Sequence, residues 1–151
     1  RCQHDENRSK GGGCEMKLVY ICSPYAGDTV SNIRFARAAC LYAAEHGCAP
    51  VAVHLLYPQL LDDNIPAQRE IGIQMGLRVL ASCDELWICG ERISHGMSCE
   101  IAEAERLGIP IRNLSTEQIH GGSHMKKLCL NLKEREFMPE ETPSCGMNLH
   151  L

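Results

Sequence analysis

The 151-residue chain has 15 lysines and arginines against 19 aspartates and glutamates, and 44% of its residues are hydrophobic. This length and composition predict one globular domain, and the formal net charge of −4 excludes the strong positive field that attracts nucleic acid or an anionic membrane. No apolar run approaches the roughly 20 residues of a membrane-spanning helix, and the polar start "RCQHDENRSKGGGCE" lacks the apolar core of a signal peptide. We therefore expect a cytoplasmic protein without nucleic-acid or membrane partners.

The first half of the chain alternates between strand-like and helix-like segments. Residues 1–15 are polar and glycine-rich, which predicts a disordered leader. The apolar, β-prone run from Leu18 to Cys22 predicts a first strand. The segment "DTVSNIRFARAACLYAAEHG" predicts a helix that Gly47 can end, and "CAPVAVHLL" predicts a second strand.

The same alternation continues in the second half. Residues 67–81 are predicted to form a helix, with Pro66 suited to its first position. The run "CDELWIC" predicts a third strand, residues 98–107 a third helix, and "IPIRNL" a short fourth strand. Past Ser115 the pattern fades, so we expect a domain at residues 16–115 and a C-terminal arm or tail at residues 116–151.

This order of elements indicates the fold class. Strands that alternate with helices through short links are typical of a parallel sheet covered on both faces. We expect an α/β fold, a flavodoxin- or Rossmann-like three-layer arrangement with a parallel sheet of four or five strands. Ligands of such folds bind beyond the carboxyl ends of the strands, where the strand order switches. The loops at residues 23–28, 54–63 and 90–98 are therefore the candidate site.

The cysteines indicate the redox state of the protein. The chain contains ten, a high number. Six lie within or beside apolar segments: Cys22, Cys40, Cys48, Cys83, Cys89 and Cys99. The sequence has no CxxC pair and no Cys/His cluster with zinc spacing. We expect reduced, mostly buried thiols that act as small hydrophobes, and no metal site.

Glu100 is the candidate catalytic residue. It follows the loop in "ISHGMSCEIAEA", residues 93–104, and we place it in the first turn of the third helix. There, unpaired N–H groups and the positive end of the helix dipole favour its ionised form. An ionised carboxylate in a cleft can attack an electrophilic carbon. The alternative is an acidic residue that only stabilises the start of a helix.

Three neighbours of Glu100 are candidate ligand contacts: Ser94, Gly96 and Met97. Gly96 lets the backbone come close to a ligand. The hydroxyl of Ser94 and the N–H groups around it suit an anion.

The loop "CSPYAGD" and the end of the second predicted strand supply further candidates. Four residues of the loop are predicted to contact a ligand: Ser23, Pro24, Tyr25 and Gly27. Pro24 stiffens the turn and Gly27 permits a positive φ, while Tyr25 can stack on a flat ring. His54 faces the same cleft and is either a contact to a base or a phosphate or a structural histidine with its hydrogen bonds satisfied. The alternative is an ordinary turn in which Asp28 or Ser31 caps the first helix.

The segments "VYICSPYAGD", "CDELWICG" and "SHGMSCEIAEAERLGIPI" together resemble the nucleoside 2-deoxyribosyltransferase superfamily, over about residues 16–114. The likeness extends to its small, phage-associated branch. It implies that a glutamate at the place of Glu100 attacks the anomeric carbon of a nucleoside and forms a glycosyl-enzyme, as in retaining glycosidases. A second base or water then completes the reaction. No metal or organic cofactor is implied.

Ser94 departs from the pattern of the nucleoside transferases, which usually carry an aspartate two residues before the glycine. A serine there is similar to the superfamily's deoxynucleoside 5′-monophosphate N-glycosidases, in which it helps to hold the phosphate. The sequence therefore tilts the expected substrate from nucleosides toward nucleotides.

Two functions remain open from the sequence. The first is cleavage or transfer at the N-glycosidic bond of a (deoxy)nucleoside or its 5′-monophosphate. The second is a non-catalytic module that binds or senses a nucleotide on the same fold. The resemblance also implies a homo-oligomer, because members of the superfamily often complete their sites with residues of a neighbouring subunit.

Overall fold

The computed structural model describes residues 15–121. Except for Glu15, the predicted leader lies outside the described residues, as do residues 122–151 of the predicted arm or tail. The strands are β1 (Leu18–Cys22), β2 (Ala49–Val51), β3 (Glu85–Cys89) and β4 (Ile111–Leu114). The helices are α1 (Thr29–Glu45), α2 (Pro66–Leu80), α3 (His95–Leu107) and α4 (Thr116–His120).

The four strands form one parallel sheet in the order β2-β1-β3-β4. Val19 lies opposite Pro50 on one side and opposite Glu85 on the other, and Trp87 of β3 lies opposite Arg112 of β4. The predicted α/β fold with a parallel, flavodoxin- or Rossmann-like sheet is confirmed.

Both faces of the sheet are buried, because successive side chains of each strand point to opposite sides. Val19 and Ile21 of β1 and Trp87 of β3 pack with α1 and with Ile119 of α4. Tyr20 of β1 belongs to a second cluster, on the opposite face, together with residues of α2 and α3. The fold therefore has three layers, with α1 and α4 on one face of the sheet and α2 and α3 on the other.

The second strand is much shorter than the sequence predicts. β2 ends at Val51, and two 3₁₀ turns follow, Val53–Leu55 and Tyr57–Gln59. β2 pairs with β1 alone and is an edge strand of the described sheet, the position in which a proline such as Pro50 is tolerated. After β2 the chain leaves the sheet, and Val53 is buried in the cluster that contains residues of α2 and α3.

The packed unit extends beyond the expected boundary at residue 115. Ser115 caps α4 by accepting a hydrogen bond from the Gln118 N–H at 3.2 Å. Ile119 of this short helix is completely buried against the α1 face of the sheet. Residues 116–120 therefore still contribute to the core, through the side chain of Ile119 in the cluster on the α1 face.

None of the described helices is both long and apolar enough to cross a membrane. Cys22, Cys83 and Cys89 are buried and Cys40, Cys48 and Cys99 half-buried, and all six are free thiols.

Candidate functional site

The candidate site lies at the carboxyl edge of the sheet, where β1 and β3 are neighbours. The chain leaves β1 toward α1 on one face of the sheet and leaves β3 toward α3 on the other face. This divergence is the strand-order switch at which ligands bind in doubly wound folds. The loops after β1 and β3 meet there, as the sequence predicts.

Glu100 does not lie in the first turn of its helix. α3 begins at His95, three residues before the predicted start, so Glu100 lies in the second turn. The residues "HGM", predicted as loop, are helical because Ser94 caps the helix. The unpaired N–H groups and the dipole act within the first turn. They therefore do not account for the protonation state of Glu100, and the predicted position in the first turn is wrong.

Burial determines the electrostatics of Glu100 instead. Desolvation raises the pKa of its carboxyl above 4.5, and contacts with Cys22 and Tyr20 offset part of that rise. A position in the first turn predicts that the ionised form is favoured, and burial of Glu100 reverses that direction. A carboxyl with a raised pKa in a cleft is a common feature of functional sites.

Tyr20 is the hydrogen-bond partner of Glu100. Its hydroxyl donates to Glu100 Oε1 at 2.8 Å. Burial raises the pKa of Tyr20 far above its usual range, so its hydroxyl remains a donor. Gly76 of α2 makes room for this pair, since a Cβ on Gly76 would lie 3.1 Å from Tyr20 Oη and 4.0 Å from Glu100 Oε1.

A cavity of about 120 Å³ opens beside Glu100, on the α2/α3 side of the sheet. Two other predicted residues, His54 and Gly96, line it together with Glu100. Asp63, which precedes α2, and Arg69, near the start of α2, also line it. A Cβ on Gly96 would meet no atom within 4 Å, so this residue leaves open space at the cavity wall.

Ser23 and His54 form a second polar pair. Ser23 is only 5% exposed, and its Oγ lies 2.9 Å from Nε2 of His54. Burial lowers the pKa of His54 to about 4, so the imidazole is neutral near pH 7. His54 lines the cavity beside Glu100. The Ser23–His54 pair therefore places an uncharged hydrogen-bonding group in the wall of that cavity.

The structure does not bring the rest of the first loop to Glu100. Pro24 lines a separate cleft on the α1 side, and Tyr25 lines a groove near Asp62. Gly27 has a φ of +99°, the positive value predicted for it. Asp28 caps α1 by accepting a hydrogen bond from the Ser31 N–H at 3.2 Å, which is the alternative considered for this turn.

Ser94 and Met97 have structural contacts. Ser94 Oγ accepts a hydrogen bond from the Met97 N–H at 3.4 Å and caps α3. Met97 is 2% exposed and packs in the core between the sheet and α3. Neither residue lines the cavity beside Glu100. A phosphate contact of Ser94 stays a prediction.

Tyr20 and the role of Gly76 are not predicted from the sequence. Tyr20 is the only polar residue in the strand "LVYIC", and a buried tyrosine hydroxyl needs a hydrogen-bond partner. A glycine inside a helix lowers its stability. Its presence at position 76 therefore indicates that another group packs closely against the helix backbone there. Both signals are local, and neither identifies Glu100 as the neighbour.

Metal ligands are not grouped in the described part of the chain. Within residues 15–121, no cluster of three or more His, Cys, Asp or Glu side chains is arranged to hold a metal ion.

Comparisons with known proteins agree with this architecture. A family model described as a domain of unknown function, DUF7768, matches residues 17–114. No curated protein matches the sequence. A solved 2-deoxyribosyltransferase from the psychrotolerant bacterium Bacillus psychrosaccharolyticus has a similar structure, with a TM-score of 0.54 and 15% identity, covering 65% of this chain and 72% of that chain. At this identity the likeness shows a shared fold.

Proposed function

The chain belongs to the DUF7768 family of domains of unknown function, and we propose that it cleaves or transfers the N-glycosidic bond of a (deoxy)nucleoside or nucleoside 5′-monophosphate. The observation that carries this proposal is the Glu100 carboxyl, which lines a cavity at the strand-order switch and is held by the Tyr20 hydroxyl at 2.8 Å. The fold shared with a 2-deoxyribosyltransferase supports it.

Glu100 is the nucleophile in this mechanism. One carboxylate oxygen bonds to the anomeric carbon while the bond from that carbon to the base nitrogen breaks. The electron pair goes to the base, which takes up a proton from water as it leaves. Water or a second base then attacks the same carbon and gives up a proton to solvent, the ester bond to Glu100 breaks, and the carboxylate is restored. Tyr20 holds Oε1, so we assign the attack on the sugar to the other oxygen, Oε2.

The raised pKa of Glu100 is compatible with this role. Only the ionised carboxylate attacks, so activity requires a pH above the raised pKa. A desolvated carboxylate is also less stabilised by water than an exposed one. The hydrogen bond from Tyr20 offsets part of this cost and fixes the orientation of the carboxyl group.

The other cavity residues position the substrate. His54 is neutral near pH 7, so it hydrogen-bonds to the base or sugar without adding charge. Arg69 is the cation at the cavity, which suits the phosphate of a 5′-monophosphate. Gly96 leaves space for the ligand beside Glu100. Contacts of Ser23, Pro24, Tyr25, Gly27, Ser94 and Met97 with the substrate remain predictions.

The size of the cavity favours an oligomer. Its volume of about 120 Å³ is below the range of about 300–1,000 Å³ that is typical of small-molecule sites. We propose that a neighbouring copy of the chain completes the site, which fits the predicted homo-oligomer. The six free thiols fit a protein of the reducing cytoplasm.

The test compares Glu100→Gln with Glu105→Gln, an exposed glutamate on the same helix. Each protein is incubated with a panel of nucleosides and 5′-monophosphates, with and without a second base, and free base is measured by chromatography. Glu100→Gln should reduce turnover by several orders of magnitude because a neutral amide is a poor nucleophile. Glu105→Gln should behave like the wild type.

Two outcomes contradict the proposal. Near-normal release of base by Glu100→Gln would remove the nucleophile from the mechanism. Binding of nucleotides by the wild type without release of any base would favour the second function, a non-catalytic binding or sensing module.

A further inference from the structure

A second cleft lies on the face of the sheet opposite to Glu100. It has a volume of about 390 Å³, within the range of about 300–1,000 Å³ typical of small-molecule sites. It lies beyond the same carboxyl ends of β1 and β3, between α1 and α4, and its lining includes Pro24, Gly90 and Thr116. The strand-order switch therefore has a cleft on each face of the sheet.

The charges in this cleft favour an anion. Arg34 of α1 and Arg92 of the loop after β3 both line it and are exposed. Among the residues that the structure describes, neither guanidinium has an ion-pair or hydrogen-bond partner. The one carboxylate in the lining, Glu91, is already engaged: it accepts hydrogen bonds from the Thr116 N–H at 3.1 Å and from Thr116 Oγ1 at 2.9 Å. Two unpaired guanidinium groups thus oppose one occupied carboxylate.

Two aromatic rings, those of Phe35 and His120, also line the cleft. The rings of Phe35 and His120 lie 5.7 Å apart at a tilt of 53°. Phe35 packs against the backbone of Gly90, which has a φ of +91°, and a Cβ at that position would lie 3.3 Å from Phe35 Cε1. The Phe35 ring is therefore close to the loop at Gly90, and it lines the same cleft as the two arginines.

We propose that this cleft is a second ligand site, which binds a phosphorylated small molecule that carries a planar ring. Arg34 and Arg92 hold the phosphate, because guanidinium groups match its geometry with paired N–H donors. The rings of Phe35 and His120 contact the planar part of the ligand. The site requires no chemistry at Glu100 and stands whether or not the chain cleaves glycosidic bonds.

The phosphate part is tested with inorganic pyrophosphate in a ¹H–¹⁵N NMR titration of the full chain. The amides of Gly90 and Thr116 should shift, independently of any shift of Gly72 and Gly96, which line the Glu100 cavity with Arg69. Shifts confined to Gly72 and Gly96, or none at millimolar pyrophosphate, would overturn the proposal.

Variants of single arginines separate a site from general charge attraction. Arg92→Gln and Arg34→Gln should each weaken pyrophosphate binding about tenfold or more, as expected for a lost hydrogen bond between charged groups. Arg37→Gln is the matched control, because Arg37 is exposed on α1 but does not line the cleft. Equal weakening by Arg37→Gln would show a diffuse field and refute the site.

The ring part is tested in the Glu100→Gln protein, so that turnover cannot consume the ligand. Adenosine 5′-monophosphate should shift the Gly90 and Thr116 amides at lower concentration than ribose 5-phosphate does. Equal affinities for the two compounds would refute the contact with Phe35 and His120.

Discussion

Replacing Gly76 by alanine tests how tightly the structure confines the Tyr20–Glu100 pair. The new Cβ would lie 3.1 Å from Tyr20 Oη, 3.5 Å from Val53 Cγ2 and 4.0 Å from Glu100 Oε1. The first distance is too short for an unstrained contact, so the hydroxyl must move away. Such movement lengthens the 2.8 Å hydrogen bond to Glu100.

The size of the effect follows from opposing contributions. Alanine in place of glycine inside a helix stabilises by about 0.5–1 kcal/mol. Overpacking of a well-filled site costs about 1–3 kcal/mol, and a weakened hydrogen bond to a charged group adds to that cost. We therefore expect Gly76→Ala to lower the free energy of unfolding by about 1–2 kcal/mol.

Gly72→Ala is the matched control on the same helix. Its Cβ would lie 3.5 Å from Leu61 Cδ1, an ordinary van der Waals contact, so this change should stabilise the protein by up to about 1 kcal/mol. Urea unfolding followed by circular dichroism measures both variants. Equal free energies of unfolding for Gly76→Ala and Gly72→Ala would contradict the close packing of α2 against Tyr20.

Three further predictions concern Tyr20, Glu100 and Ser94. Tyr20→Phe should reduce turnover about tenfold to a hundredfold. It should also move the acid limb of the kcat/KM profile to higher pH, because the Tyr20 hydrogen bond lowers the pKa of Glu100 and its loss therefore raises that pKa; an unchanged limb would contradict this role. Glu100→Gln should stabilise the protein at pH values above the raised pKa and have little effect below 4.5, because protonation of the buried carboxyl stabilises the fold and is lost as the pH rises. Urea unfolding against pH measures this, and a pH-independent difference would oppose it. Ser94→Ala should cost about 0.5–2 kcal/mol by removing the cap of α3, whereas Ser94→Asp should keep the cap. If the alanine variant weakens a nucleoside and its monophosphate equally in calorimetry, Ser94 does not bind the phosphate.

The sequence by itself determined the architecture, because its signals act over one strand or one turn of helix. The apolar run from Leu18 to Cys22 and the helix start at Pro66 lie where the pattern predicts them. The alternation of these elements was sufficient to predict a parallel sheet and the edge at which the site lies. Glu100 was also identified from its sequence context and lines the cavity at that edge.

The tertiary structure decided the state of Glu100. Its partner Tyr20 is 80 residues away in the sequence, and Ser23 is 31 residues from His54. No local pattern reports such pairs, because they depend on which elements the strand order places side by side. The burial of Glu100 likewise depends on the packing of α3 against α2 and the sheet. The pKa of Glu100 is therefore raised by desolvation, although helix position alone suggested the opposite direction.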